Sequence, residues 1–139
     1  MLTNTIDYQM YLAQRETIKF YNRYMLKENQ LSYQHYLVLM VLHEEKVMPV
    51  LKLGERLAFQ SGTITPIIKK MESRGIIARH RSESDERVVM VQLTTEGHSL
   101  VQELLEVPIK MFDASQLNTE EYKKLMKYSK KIINNVTYE

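Results

Sequence analysis

The sequence predicts a mainly α-helical chain with one small β-hairpin, which is an α+β fold class. Apolar residues recur at three- and four-residue spacing over most of the chain, and this is the period of an amphipathic helix. The exception is a pair of short segments, residues 76–81 and 88–93, which are rich in β-branched residues and separated by too few residues for a helix. A length of 139 residues is sufficient for one domain with a buried core.

Composition and charge narrow the range of functions. The formal net charge of +2 is small, but residues 56–87 contain seven Lys or Arg and four Asp or Glu, so the positive charge is concentrated there. Cysteine is absent, which excludes disulfides, thiolate metal ligands and cysteine catalysis. The N-terminus has no signal-peptide pattern, and the longest apolar run, residues 36–42, is far shorter than the roughly 18 residues of a membrane span. We therefore expect a cytoplasmic protein without a membrane partner.

The segment that begins at residue 61 is predicted to be a short helix with two different faces. One face is an apolar stripe at i, i+3, i+4 and i+7, formed by Ile64, Ile67, Ile68 and Met71. Because Pro66 lacks an N–H and fits a first helical turn, the helix should begin near residues 61–63, and Gly75 should end it. The other face carries hydroxyl groups and cations: Ser61, Thr63, Thr65, Lys69, Lys70, Ser73 and Arg74. These groups suit phosphates and base edges, and the hydroxyls are concentrated at the helix N-terminus, the end that helix-turn-helix proteins present to DNA.

The two predicted strands that follow are joined by the charged turn at residues 82–87. In this turn Arg87 follows Asp85 by two residues, so the carboxylate can hold the guanidinium by paired hydrogen bonds. An arginine on a thin protrusion fits the narrow, electronegative minor groove of A·T-rich DNA. Helix and hairpin together predict a winged helix-turn-helix. The alternative interpretation of the hairpin is a solvated loop with a local salt bridge.

The N-terminal part of the chain is predicted to supply three helices. Residues 6–27 contain no Gly or Pro and should form a long helix with more than one apolar face, which is typical of a helix that also packs against a partner subunit. Ser32 is a suitable N-cap for a second, buried helix with the apolar core 36–42. Pro49 should begin a short helix that continues to about residue 58.

The C-terminal part is predicted to be helical as well. One of the two threonines at residues 94 and 95 should cap a third long helix that runs to about residue 112, and Pro108 should kink or divide it. Asn118 should cap the last helix, in which apolar residues are spaced by three and four up to about residue 136. These terminal helices flank the basic segment and are candidates for a dimer interface.

Three motifs together resemble the MarR family of winged-helix regulators. They are LGERL at residues 53–57, SGTITPIIKKME at 61–72 in the recognition helix, and RHRSESDER at 79–87 in the wing. The likeness extends in order over nearly the whole chain. It is strongest to the organic-hydroperoxide-sensing branch and to related staphylococcal regulators.

This resemblance implies an architecture and a function. The architecture is a single MarR-type domain over residues 1–139, with a winged helix-turn-helix core at about 30–93 and dimerisation helices at about 5–28 and 95–136. The function is that of a homodimeric, sequence-specific transcriptional repressor on double-stranded DNA. Its recognition helices would lie in successive major grooves of a palindromic operator and its wing arginines in the flanking minor grooves. Carried over by position, the DNA-binding residues are Ser61, Thr63, Thr65, Lys69, Lys70, Arg74, Arg81, Asp85 and Arg87.

One departure from the family pattern concerns the sensor. In the peroxide-sensing branch, two tyrosines hydrogen-bond a reactive cysteine in the first helix, and an Arg-Glu-like pair ends the segment. Alignment on Tyr11 and the pair Arg15 and Glu16 places Asp7 at the cysteine position, while Tyr11 and Tyr21 match the two tyrosines. We therefore hypothesise that Asp7 holds the DNA-binding form, that organic peroxide does not release it, and that a small-molecule effector is one substitute signal. The other interpretation of Asp7 is a solvated first-turn residue favoured by the helix dipole.

Three alternatives to a DNA-binding regulator are weaker. An enzyme is disfavoured because the chain has no nucleophile elbow, phosphate loop or carboxylate dyad, and we expect no cofactor. A metal-responsive regulator would take its ligands from the histidines, which are His35, His43, His80 and His98. Their spacing forms no compact ligand pattern. A winged-helix module that binds protein instead of DNA is disfavoured by the hydroxyl-rich helix start and the wing arginine.

Overall fold

The computed structural model describes residues 1–60 and 62–137, with the backbone alone at residues 25 and 26. The chain forms two compact units, Met1–Val107 and Pro108–Glu139. Most of the described residues are helical, and a three-stranded antiparallel sheet lies in the first unit, which agrees with the predicted mainly helical fold class. Among the described residues, no helix is both long enough and apolar enough to cross a lipid bilayer.

The first unit begins with a 3₁₀ turn and then a helical path, which ends two residues beyond the predicted end at residue 27. In chain order its elements are a 3₁₀ turn (Leu2–Asn4), α1 (Ile6–Tyr21), a π-helical turn (Asn22–Leu26) and α2 (Lys27–Asn29). Gln30 then adopts a left-handed conformation with a φ of 56°, which stops the helix. Most side chains of α1 are exposed in the single chain.

α3 (Tyr33–Glu45) is the buried helix that the apolar run predicts. Its N-terminus is closed by a capping box with histidine in the position that Glu or Gln usually takes. The Ser32 hydroxyl accepts from the His35 N–H at 3.2 Å, and His35 Nδ1 accepts from the Ser32 N–H at 3.2 Å. The side chains of α3 with no exposed surface are Val38, Leu39 and Leu42.

The sheet has three strands where the sequence predicts two. The strands are β1 (Val47–Pro49), β2 (Ile77–Arg81) and β3 (Val89–Leu93), in the order β1-β3-β2. The hairpin of β2 and β3 confirms the prediction, whereas β1 is a correction to it. Three residues that end in proline show no strand period, and proline is tolerated on an edge strand. β1 forms because Met48 pairs with Val91, which is fully buried.

The helix-turn-helix consists of α4 (Val50–Arg56) and α5 (Ile64–Ser73). As predicted, α4 begins directly after Pro49, and Pro66 lies in the first turn of α5. Gly75 follows α5 with a φ of 77°, in the left-handed region that favours glycine, and so ends the helix where the sequence predicts.

The helix after the hairpin is divided in the region of Pro108, as predicted. α6 (Thr95–Leu104) is capped by Thr94, whose hydroxyl accepts from the Gly97 N–H at 3.1 Å. Gly97 permits a close approach of α6 to the hairpin, because a Cβ there would lie 2.1 Å from the carbonyl oxygen of Ile76. α7 (Val107–Ser115) begins one residue before Pro108.

The last helix, α8 (Thr119–Val136), lies in the second unit and has the predicted cap. Asn118 Oδ1 accepts from the Glu121 N–H at 2.8 Å, and Glu121 Oε1 accepts from the Asn118 N–H at 3.0 Å. No described residue of α8 is buried. Large apolar side chains at three- and four-residue spacing are instead exposed along one stripe: Tyr122, Leu125, Met126, Ile133 and Val136.

The core of the first unit fixes the orientation of α5. Fully buried side chains from α3, α4, α5, the sheet and α6 form this core: Leu39, Leu42, Leu53, Ile68, Met71, Ile77, Val91, Val101 and Leu104. Because Ile68 and Met71 belong to α5, one face of that helix is turned inward. Its opposite face is therefore turned towards solvent.

Candidate nucleic-acid interface

α5 has the two faces that its sequence predicts. The apolar stripe is buried, and its members are Ile64, Ile67, Ile68 and Met71. Thr65, Lys69 and Lys70 are exposed on the outer surface of the same helix. Thr63 is half-buried at the N-cap position, and Ser61 lies outside the described residues. The folded chain thus presents Thr65, Lys69 and Lys70 to solvent on a single rigid element.

The wing turn is fixed by hydrogen bonds within it. The Ser82 N–H donates to the Val88 carbonyl at 2.9 Å, and the Val88 N–H donates to the Asp85 carbonyl at 3.0 Å. Arg81 Nη1 donates to the carbonyl of Glu86 at 2.9 Å. The exposed guanidinium of Arg81 is therefore tied to the wing and stabilises the shape of its tip.

Arg87 and Asp85 form the predicted pair at this tip. The Arg87 side chain is 91% exposed. Its backbone N–H and Nε donate to Asp85 Oδ1 at 3.0 and 3.2 Å, and its Nη2 donates to Oδ2 at 3.4 Å. These hydrogen bonds lower the pKa of the Asp85 carboxyl below its usual value. The carboxylate therefore remains ionised at neutral pH and fixes the exposed guanidinium at the tip of the wing.

A cavity of about 610 Å³ lies between α4, α5 and the wing. Two predicted DNA-binding residues, Thr65 and Arg87, line it together with Leu51 and Lys52. Lys52 was not in the predicted set, because a lysine on a short helix is most often only solvated. Its Nζ lies 3.4 Å from Glu55 Oε2, and both side chains are largely exposed. The structure adds Lys52 to the candidate interface because it lines the same cavity as Thr65 and Arg87.

Two arginines near α5 have partners within the chain. Arg79 of β2 donates from Nη2 to Glu72 Oε1 at 2.9 Å. Arg74, the C-cap of α5, donates from Nη1 to the Gln30 carbonyl at 2.7 Å and from Nη2 to the Asn29 carbonyl at 2.9 Å. A contact of Arg74 with DNA would compete with these two hydrogen bonds, so it stays a prediction.

The three sensor candidates are not brought together within one chain. Asp7 and Tyr11 are exposed, whereas Tyr21 is only 7% exposed. The Tyr21 ring centroid lies 5.3 Å from that of Tyr33 and 5.2 Å from that of Tyr36. Asp7 and Tyr21 lie at opposite ends of α1, separated by roughly 21 Å along the helix axis. A pocket that contains both would need a second chain.

Asp7 has the surroundings of a first-turn residue. Hydrogen bonding with the Thr5 side chain, and with the backbone N–H groups of Asp7 and Tyr8, lowers the pKa of its carboxyl. This agrees with the helix-dipole interpretation within one chain, and the sensor role stays a prediction. Among residues 1–60 and 62–137, no three His, Asp or Glu side chains are grouped so as to hold a metal ion.

His35 is a buried histidine at the start of α3, and only 6% of it is exposed. Burial, followed by the positive charges of Lys70 and Arg74, lowers the pKa of His35 below its usual value. Because Nδ1 accepts from the Ser32 N–H, the neutral ring carries its proton on Nε2. Protonation of Nδ1 would remove this acceptor and break half of the capping box.

We expect His35 to make folding stability depend on pH. Unfolded His35 takes up its proton near the ordinary pKa of 6.5, whereas the folded protein resists it until lower pH. The free energy of unfolding should therefore be highest above the ordinary pKa of 6.5. It should fall as the pH drops from there towards the lowered pKa of folded His35, by at most about 1.4 kcal/mol per pH unit for one proton. His35→Gln keeps a Ser-x-x-Gln capping box and does not titrate, so its profile in urea melts should be flatter over this range. If the free energy of unfolding changed equally with pH in the parent and in His35→Gln, His35 would not be the source of the pH dependence.

Comparison with known proteins identifies the family. Residues 20–104 match a family model described as "Transcriptional regulator SarA/Rot". The chain is 38% identical over 124 residues to the organic hydroperoxide resistance transcriptional regulator of Bacillus subtilis. The aligned segment covers 89% of this chain and 84% of that protein. It is also 36% identical over 120 residues to the HTH-type transcriptional regulator SarZ of Staphylococcus aureus, and this alignment covers 86% of this chain and 80% of that protein.

A solved structure shares the fold. Reduced AbfR bound to DNA superposes on this chain with a TM-score of 0.76 and 28% sequence identity, covering 97% of this chain and 94% of that one. These comparisons confirm the resemblance to MarR-type winged-helix regulators that the sequence motifs indicate. The chain therefore belongs to the SarA/Rot family of transcriptional regulators, has a MarR-like winged-helix fold, and is a regulator and not an enzyme.

Proposed function

We propose that the protein is a sequence-specific repressor that binds double-stranded DNA as a homodimer. The observation that carries this proposal is the exposed face of α5 beside a wing whose Arg87 guanidinium is held outward by Asp85. Hydroxyls and cations on a helix suit the phosphates and base edges of a major groove, and an extended arginine suits an A·T-rich minor groove. The similar fold of AbfR, which has been solved on DNA, supports the same use here.

The proposed contacts divide into two kinds. Lys69, Lys70 and Lys52 would neutralise phosphates, whereas Thr65 on the first turn of α5 would face base edges. The full proposed set on each subunit is Ser61, Thr63, Thr65, Lys69, Lys70, Arg74, Arg81, Asp85 and Arg87, with Lys52 added. Within this set, Arg81 and Asp85 would act mainly by shaping the wing, since both hydrogen-bond within it.

The dimer would be built from the terminal helices. α8 exposes a stripe that includes Leu125 at 53% and Ile133 at 58%, and α1 exposes Ile6 and Met10. Exposed apolar side chains along one stripe of a helix mark an interaction site. We propose that a second copy of the chain covers these apolar side chains. Each subunit would then consist of a winged core at about residues 30–93 and dimerisation helices at about 5–28 and 95–136. Two-fold symmetry then predicts a palindromic operator with half-sites about one helical turn apart.

The signal would not be thiol oxidation, since the sequence contains no cysteine. A carboxylate at Asp7 can accept hydrogen bonds from tyrosine hydroxyls but cannot follow the sulfur oxidation ladder. We propose that Asp7, with Tyr11 and Tyr21 of the dimer, belongs to a sensor pocket and that a small-molecule effector replaces peroxide. The protein would work in the cytoplasm, where its operators are.

The test is a binding titration on operator fragments selected from the source genome. If Lys52, Lys69, Lys70 and Arg87 of both subunits each neutralise one phosphate, log affinity should fall with log salt with a slope of about −7. The selected sites should be palindromic, and deletion of the gene should raise transcription from them. Cumene hydroperoxide should leave the complex intact. Binding that ignores salt and site symmetry would refute the proposed function, and release by mild peroxide would refute the proposed mode of sensing.

A further inference from the structure

The C-terminal end of the recognition helix is fastened to a distant part of the chain. Arg74 of α5 reaches the carbonyls of Gln30 and Asn29, which precede it by 44 and 45 residues, at 2.7 and 2.9 Å. These carbonyls lie where the helical path of α1 and α2 ends, and cations are favoured at the C-terminal end of a helix. We name Arg74 with these two carbonyls the Arg74 clamp.

The geometry of the clamp uses the particular shape of arginine. Two N–H donors of one planar guanidinium meet two successive carbonyls, which a lysine ammonium cannot match with the same fork. The left-handed conformation of Gln30, with a φ of 56°, ends the helical path at this point. A positive φ at a residue other than glycine costs free energy, so the conformation of Gln30 needs support from its surroundings.

The residues around the clamp link the same two parts of the chain. Leu31, directly after the clamp, is buried. His35 follows at the start of α3 and is close enough to Lys70 and Arg74 for both charges to lower its pKa. The C-terminal end of α5 is thus joined by the hydrogen bonds of Arg74 to the segment between α2 and α3, with the positive charges of Lys70 and Arg74 near His35.

We propose that Arg74 is a positioning residue, which sets the orientation of the recognition helix relative to the N-terminal helical path and does not contact phosphate. This inference rests on the DNA-binding function proposed above and revises the role of one residue in it. Because α1 is a proposed dimerisation helix, the clamp fixes how the two recognition helices of a dimer are spaced. An effector that shifts the C-terminal end of α2 would move α5 through the hydrogen bonds of Arg74 to Asn29 and Gln30.

The first readout is the salt dependence of operator binding. Arg74→Lys keeps the charge and loses the fork, so it should bind about tenfold more weakly because fewer molecules hold the competent orientation, while its salt slope stays parental. Arg74→Ala should also keep the parental slope. Lys69→Ala is the matched control for a phosphate contact, and it should reduce the slope by about 1.8 per dimer. A phosphate-contacting Arg74 predicts the reverse pattern, with nearly parental affinity for Arg74→Lys and a reduced slope for Arg74→Ala.

The second readout needs no DNA and therefore separates the two proposals. Hydrogen–deuterium exchange at the amides of residues 27–36 should be faster in Arg74→Lys than in the parent and unchanged in Lys69→Ala. If the amides of residues 27–36 exchange in Arg74→Lys at the same rate as in the parent, the clamp is refuted. The clamp is also refuted if exchange is faster in Arg74→Lys but its operator affinity equals that of the parent. If the parent itself fails to bind DNA, the proposed function fails, and this exchange comparison still tests the clamp. Should Arg74→Ala not fold, Arg74→Lys carries both readouts.

Discussion

Leu125→Asp is expected to convert the proposed dimer into monomers and to abolish operator binding with it. Leu125 belongs to the exposed apolar stripe of α8, and it is 53% exposed in the single chain. In a two-fold interface the change places a carboxylate in apolar surroundings twice, and each unpaired charge costs several kcal/mol. We expect the dimer dissociation constant to rise by about a thousandfold or more. Light scattering at micromolar concentration measures this directly.

The matched control introduces the same aspartate on the other face of the same helix. Lys131 is exposed and lies opposite the apolar stripe by helical periodicity. Lys131→Asp should therefore remain dimeric, with the circular dichroism spectrum of the parent. A dimeric Leu125→Asp would show that α8 does not form the interface. A monomeric Lys131→Asp would show that general charge, and not the apolar stripe, controls association.

Arg87→Ala is expected to weaken operator binding by at least about 30-fold, since each dimer loses two contacts that are worth about 1 to 3 kcal/mol each. The effect should be largest on operators with A·T-rich flanks, where the narrow minor groove attracts an arginine most strongly. The Arg87 side chain is 91% exposed, and within the described part of the chain its hydrogen bonds go to Asp85, so its removal should leave dimerisation and thermal stability unchanged. Fluorescence anisotropy on operators that differ only in their flanks provides the measurement.

Two further variants separate charge from geometry at the wing. Arg87→Lys retains the positive charge but loses the bidentate pairing with Asp85, so it should keep the salt slope and lose the preference for A·T-rich flanks. Asp85→Ala should weaken binding in the same direction, because the guanidinium is no longer held. If all three variants bound like the parent on every flank, the hairpin would be a solvated loop without a role in DNA binding.

The recognition helix and the wing could be predicted from the sequence because their signals are local. The stripe from Ile64 to Met71 repeats within seven residues, Pro66 and Gly75 mark the two ends of the helix, and Asp85 precedes Arg87 by two residues. Helix caps follow the same rule, since Ser32, Thr94 and Asn118 act within three residues. Such features depend on backbone geometry over one or two turns, which the residue types alone determine.

Only the tertiary structure decided the features that join distant segments. β1 is a strand because Met48 meets Val91 across the sheet, and no property of the three residues of β1 indicates that pairing. The sequence predicts Arg74 as a DNA contact because it follows a basic helix, and only the structure shows that its hydrogen-bond partners lie 44 and 45 residues earlier. Long-range hydrogen bonds depend on which surfaces the buried core brings together. The sequence determined the two faces of the recognition helix, and the packing of the whole first unit determined which of its cations remain available for a partner.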